Sequence, residues 1–272
     1  MECGARMAHK QTNSWRKAFD DLTFTDDYLF KRIMQNGEIC KRVLQVLLGK
    51  RITRIVSLET EKEVTLEFFA HGVRFDVYVE GSDEAVDIEM QTYREADLAA
   101  RMRRNHAQLD LLTMDKDNPA GAAKATCVIF ICTFDPFRRG LPVYSFSWRE
   151  ETHLDLTLGD KSRRIVYNAP AWESCSNEEL SSFLRYVATQ KACSKLSADL
   201  DEAVSFAKHS TSWRMGYNMI YEAIAQAKEE GAHECRLETA RTFLTMGLPP
   251  EQVAQGTGLT LQEVEALRQS RY

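Results

Sequence analysis

Residues 72–91 read GVRFDVYVEGSDEAVDIEMQ, and this stretch decides the fold. Polar and apolar side chains alternate on both sides of a turn at Gly81, Ser82, Asp83 and Glu84, which is the period of a strand. The register that puts apolar against apolar sets Phe75 against Met90, Val77 against Ile88 and Val79 against Val86, as a core face requires. The same register sets Asp76 opposite Glu89 and Tyr78 opposite Asp87 on the other face, where Gln91 follows. The core pattern alone therefore brings a carboxylate from each strand to one spot.

Outward from this hairpin the period changes. From Asp26 to Gly49, Leu29, Phe30, Ile33, Met34, Val43, Leu44, Leu47 and Leu48 recur at helical spacing. Thr25 is placed to cap this segment, Gly49 to end it, and Gly37 to divide it. Ile55–Leu58 and Val64–Phe69 read as further strands before the hairpin. Glu95 to Met114 reads as a helix, closed by Asn118, Pro119, Ala120 and Gly121. The near-continuous apolar run Ala125–Phe134 suits a central strand buried on both faces. Val143–Ser147 and Arg164–Tyr167 are shorter strand candidates, and residues 177–226 read as helical. This order predicts a mixed α/β layer structure. The domains expected are a flexible N-terminus (1–20), a core (21–175), a helical extension (176–226) and a C-terminal tail (227–272) of helix-turn-helix character.

The chain has 272 residues, with 35 Lys and Arg against 40 Asp and Glu, for a net charge of -5. That excludes a protein holding nucleic acid by bulk positive charge. No apolar run is long enough for a transmembrane helix, and the polar N-terminus offers no secretory signal. The cysteines number 7, an odd count without repeated spacing, which reads as free thiols in a reducing cytoplasm. Cys127 and Cys132 fall on opposite faces of one strand and so cannot share a metal.

Carboxylates that converge on one face repel unless something compensates. Mg²⁺ or Mn²⁺ does so through oxygen ligands, and such a cation can activate water and stabilise charge on a phosphate. A solvated face carrying ordinary surface acids is the other reading of the same alternation.

Asp76, a spacer of about a dozen residues, and then Asp87, Ile88, Glu89, Met90 and Gln91 resemble the motif of PD-(D/E)XK nucleases. The variant most similar is that of the PD-(D/E)XK nuclease family transposases, related to the recombination-promoting Rpn nucleases, in which Gln replaces the motif Lys. Residues 27–31 (DYLFK), 73–79 (VRFDVYV) and 128–137 (VIFICTFDPF) resemble that family too, as does the tail. The resemblance implies a restriction-endonuclease-like αβββαβ core and metal-dependent cleavage of DNA. By position it makes Asp76 and Glu89 metal ligands, with the Met90 carbonyl as a further ligand. It puts Gln91 where a Lys usually orients water or offsets charge on the phosphate, and Gln carries no charge to do so. It also implies an acid from the first helix, with Glu38 the first choice and Asp27 the second. Asp87 flanks the site as a supporting residue.

Arg101 and Arg104 share a face of the helix after the motif and are candidates for DNA phosphates, or for a solvated face paired with acids. His106 nearby is a weaker site candidate. The last helix of the tail carries Glu263 and Glu265, with Gln262 and Gln269 as its only amides. That composition suits a protein-interaction or homo-oligomer contact better than base reading. Beside the Mg²⁺-dependent nuclease stands an alternative, a catalytically degenerate nuclease fold that serves as a DNA-binding or protein-interaction module.

Overall fold

The computed structural model describes residues 17–64, 73–113 and 124–269. They fall in two compact units, residues 17–210 and residues 211–269. The larger opens with α1 (Asp27–Met34) and α2 (Gly37–Leu48), followed by β1 (Ile55–Val64), β2 (Val73–Gly81), β3 (Glu84–Gln91) and α3 (Leu98–Thr113). Then come β4 (Ala125–Cys132), β5 (Val143–Phe146), β6 (Ser162–Asn168), α4 (Glu178–Thr189) and α5 (Lys195–His209). The fold is α/β, a six-stranded mixed sheet of order β1-β2-β3-β4-β6-β5 with flanking helices. β1, β2 and β3 are antiparallel, β3, β4 and β6 parallel, and β5 returns antiparallel to β6.

Gly37 does divide the first helical run. Asn36 caps α2, its side chain accepting from the Glu38 and Ile39 amides, and Gly49 ends it at φ 62°. The N-cap of α1 is Asp26 rather than Thr25, and its carboxylate makes no capping bond because it accepts from the amide and hydroxyl of Thr23. β1 runs unbroken through Val64; the expected strand Val64–Phe69 otherwise lies outside the described residues, as does the stretch from Asn118 to Gly121. Phe19, Leu22 and Phe24 are buried, so the core begins ahead of residue 21.

The hairpin register is the one the alternation demands, with Val77 on Ile88, Tyr78 on Asp87, Val79 on Val86 and Glu80 on Ala85. β3 is buried along its whole length and β4 after its first residue, which suits strands at the centre of a sheet covered on both faces. α3 covers one face, over Tyr78, Val128, Phe130 and Val166. α2 covers the other, where the Tyr167 hydroxyl donates to the Leu47 carbonyl. One side chain departs from the pattern. Phe75 stacks with Tyr78, centroids 6.3 Å apart, in a cluster that holds neither Val77 nor Val79. The cause is local. The β1–β2 ladder skips the Glu61/Asp76 position, and Glu61 has φ 56°.

The second unit is α6 (Thr211–Thr245), α7 (Pro250–Thr257) and α8 (Leu261–Gln269). α6 crosses the expected boundary at 226/227 without a break. Lys228, Glu229 and Glu230 are strong helix formers, and one Gly in a helix interior costs only about 1 kcal/mol. Around Ala240, Val253, Leu259 and Val264 the end of α6 packs with α7 and α8. Gly258 at φ 72° ends α7, and Thr260 with Glu263 forms a capping box that starts α8. Among the described residues no helix is long and apolar enough to cross a membrane.

Candidate functional site

The site is built where the β2–β3 ladder stops. Backbone pairing ends at Val77 and Ile88. Beyond it the expected pairs of Asp76 with Glu89 and Phe75 with Met90 are replaced by side-chain bonds. The Asp76 amide donates to Glu89 Oε1 at 3.1 Å, and the Met90 amide donates to Asp76 Oδ2 at 3.3 Å. The two carboxylates are thus crossed between the strands, each accepting from a backbone amide of the other strand.

The face that carries them is buried. Asp87 and Glu89 are 0% exposed and Gln91 1%, so a solvated acidic face is ruled out. Helices on both sides supply what offsets the charge. From α1, Lys31 Nζ lies 3.1 Å from Asp76 Oδ1 and 2.6 Å from Asp27 Oδ1. From α3, the Arg101 guanidinium bonds Glu89 Oε2, Gln91 Oε1 at 2.8 Å and Glu95 Oε2 at 3.1 Å, and stacks over Phe130. Asn105, one turn on, donates to Asp87 Oδ2 at 3.0 Å. The Gln91 amide nitrogen donates to the Tyr93 carbonyl at 2.7 Å.

Burial dominates the acid–base behaviour. It raises all three carboxyls, and their mutual repulsion adds to it. Glu89 is pushed up to about 7, burial and the Asp76 charge outweighing Arg101. Asp87 stands well above the usual carboxylate range, from burial first and the Glu89 charge next. Burial works against the charge of Lys31, yet Asp76 and Asp27 raise it above its ordinary value. Both helix cations therefore stay charged while the acids compete for protons.

The expected site residues separate into those gathered here and those not. Asp76, Asp87, Glu89, Met90 and Gln91 converge on one end of the sheet, and Asp27 reaches it by holding Lys31. Glu38 is exposed in the first turn of α2, and its side chain makes no contact with the cluster. Arg101 is committed to Glu89 and Gln91 and only partly exposed, whereas Arg104 is exposed. His106 is buried against Thr126 at 2.9 Å, away from the carboxylates. Lys31 and Asn105 were not anticipated. Lys31 had a sequence signal: it sits four residues from Asp27 among positions of α1 that are otherwise apolar and buried.

Among the described residues no group of three or more His, Cys, Asp or Glu side chains is arranged to hold a metal by itself. The crossed pair still offers hard oxygens from two carboxylates beside the Met90 carbonyl, and Mg²⁺ is commonly held by one or two carboxylates while it keeps several waters. Asp76, Asp87 and Glu89 outnumber Lys31 and Arg101, and Asp87 Oδ1 is buried without a partner. The donor set thus fits a small divalent cation. Comparison of the chain with protein-family models, with curated proteins and with solved structures finds no match.

Proposed function

We propose that this protein is a metal-dependent endonuclease of the PD-(D/E)XK type that hydrolyses DNA phosphodiesters and acts with mobile elements or in recombination. The crossed pair of Asp76 and Glu89, at the point where the hairpin ladder opens, carries the reading. The succession α2, β1, β2, β3, α3, β4 supports it, since it has the order of the αβββαβ core that the sequence resemblance implies.

In this reading Asp76, Glu89 and the Met90 carbonyl hold Mg²⁺, with Mn²⁺ as a substitute. Such a cation, when bound, activates water and stabilises charge on phosphate. The chain's own residues set the conditions. Glu89 exchanges its proton near neutrality, so cation, proton and Arg101 compete for one carboxylate. Gln91 is bonded through both its amide atoms and orients Arg101. Asn105 fixes Asp87 beneath the pair.

The test is nicking of supercoiled plasmid with Mg²⁺ or Mn²⁺. Wild type is expected to nick, and Asp76→Ala and Glu89→Ala are not. One observation favours a second reading, a nuclease fold that binds without cutting: Lys31 and Arg101 already neutralise the two carboxylates. DNA binding without cleavage in any divalent metal would select it.

A further inference from the structure

We propose that Lys31 is a catalytic residue of this site, its ammonium meeting the phosphodiester and supplying the positive charge that Gln91 lacks. This rests on the nuclease reading above and adds to it a residue from a different element.

Gln91 cannot take that part. It is neutral and 1% exposed, its Nε2 is given to Tyr93 and its Oε1 to Arg101. Arg101 is no better placed, because Glu89, Gln91 and Glu95 together occupy its guanidinium. Lys31 differs in how its protons are held. An ammonium has three donors. Asp76 takes one at 3.1 Å and Asp27 another at 2.6 Å. Glu61 stands at 3.6 Å, beyond hydrogen-bond reach. Among the described residues the third donor therefore has no acceptor in bonding distance.

The rim of the cluster is the open side. The side chains of Asp27 and Glu61 are 63% and 50% exposed, against 6% for Lys31 and 13% for Asp76. The ammonium thus lies between a buried carboxylate and solvent, where a phosphate oxygen can replace Glu61. Lys31 keeps its proton throughout. Water oxygen bonds to phosphorus, the bond from phosphorus to the leaving sugar oxygen breaks, and the proton released from water balances the one the leaving oxygen takes up. The ammonium offsets the charge that grows on the phosphate oxygens in between. Removing such a donor typically costs ~100-fold or more in rate.

The experiment compares wild type, Lys31→Met and Lys31→Arg. It reads plasmid cleavage, Mn²⁺ binding by electron paramagnetic resonance, and melting by circular dichroism. Lys31→Met is expected to lower kcat about 100-fold, with KM for DNA within about threefold, because many phosphate contacts share the affinity. Mn²⁺ binding should be kept or tightened, since a cation beside Asp76 is gone. Lys31→Arg, which keeps a positive charge at position 31, should recover at least about tenfold over Lys31→Met, as differential stabilisation of the transition state requires. Cleavage by Lys31→Met within about threefold of wild type overturns the role of Lys31 and leaves the nuclease reading standing. Loss of Mn²⁺ binding together with cleavage, or a folded Lys31→Arg without recovery, also overturns it, by showing that Lys31 only shapes the carboxylates. A wild type that binds Mn²⁺ and never cleaves overturns the nuclease reading, and the role of Lys31 with it.

Discussion

Asp87 and Asn105 meet beneath the crossed carboxylates: Asp87 Oδ2 accepts from Asn105 Nδ2 at 3.0 Å, while Asp87 Oδ1, equally shut from solvent, accepts nothing. Burial and the neighbouring Glu89 and Asp76 charges hold this carboxyl well above its usual range, so its charge is costly in place. Asp87→Asn keeps the shape and removes that charge. Its expected effect is a higher melting temperature above neutral pH. Asn105→Leu strands the Asp87 oxygen instead, and should cost about 1–3 kcal/mol in urea denaturation. A destabilised Asp87→Asn would contradict this account.

The pH dependence of stability has a definite sign. Glu89 rises from 4.5 to about 7 on folding, through burial, then Asp76, against the pull of Arg101. Between those values the folded state holds more protons than the unfolded one, so stability falls as pH rises across the window. Asp76 and Asp87 are shifted the same way. Melting of the metal-free protein, followed from about pH 5 to about pH 8, should drop, and Glu89→Gln should flatten the curve. A melting temperature that climbs over this range would remove the buried, proton-competing Glu89 from the account.

Arg101 and Arg104 separate an internal cation from a surface one. Arg101→Met leaves Glu89 buried with no cation, and the expected loss is about 2–4 kcal/mol, somewhat below that of a fully buried pair because Arg101 itself reaches solvent. Arg104→Met, at an exposed position, should change stability by no more than about 0.5 kcal/mol. Equal effects in chemical denaturation would mean that the Arg101–Glu89 contact contributes nothing.

A divalent cation that binds only the folded site raises stability by mass action. At ten times its dissociation constant Mg²⁺ or Mn²⁺ should add about 1.4 kcal/mol, a shift of roughly 3–5 °C in the melting of the sheet unit. Asp76→Ala and Glu89→Ala should abolish the shift. Persistence of the shift in both variants would locate the cation elsewhere.

The C-terminal unit has its own small core. Leu259→Ala should weaken it by about 2–4 kcal/mol. Hydrogen exchange is the measurement that resolves this, with faster exchange expected across α7, α8 and the end of α6 and unchanged exchange in β3 and β4. A global loss of protection would show that the two units unfold as one.

Much of the fold was legible because strand alternation and apolar runs are local signals. The Val77/Ile88 and Val79/Val86 pairings follow from burying like against like, and a one-residue slip would have turned each of them outward. The apolar run at Ala125–Phe134 suited a central strand, and β4 fills it. Gly37 and Gly49 punctuated the first helices as their chemistry requires. The reading was weaker where a single local signal met a tertiary one. The expected boundary at 226/227 falls inside α6, and Phe75 left its expected face because the ladder is interrupted at Asp76.

The sequence by itself determined which side chains share a face at the hairpin, and so that Asp76, Asp87, Glu89 and Gln91 meet. Only the tertiary structure decided what stands against them. Alternation along one strand says nothing of what covers that strand, and the cover comes from helices distant in the chain: Lys31 of α1, with Arg101 and Asn105 of α3. Their approach buries the face and raises the acids. A row of surface carboxylates thereby becomes a buried site held by Lys31, Arg101 and Asn105.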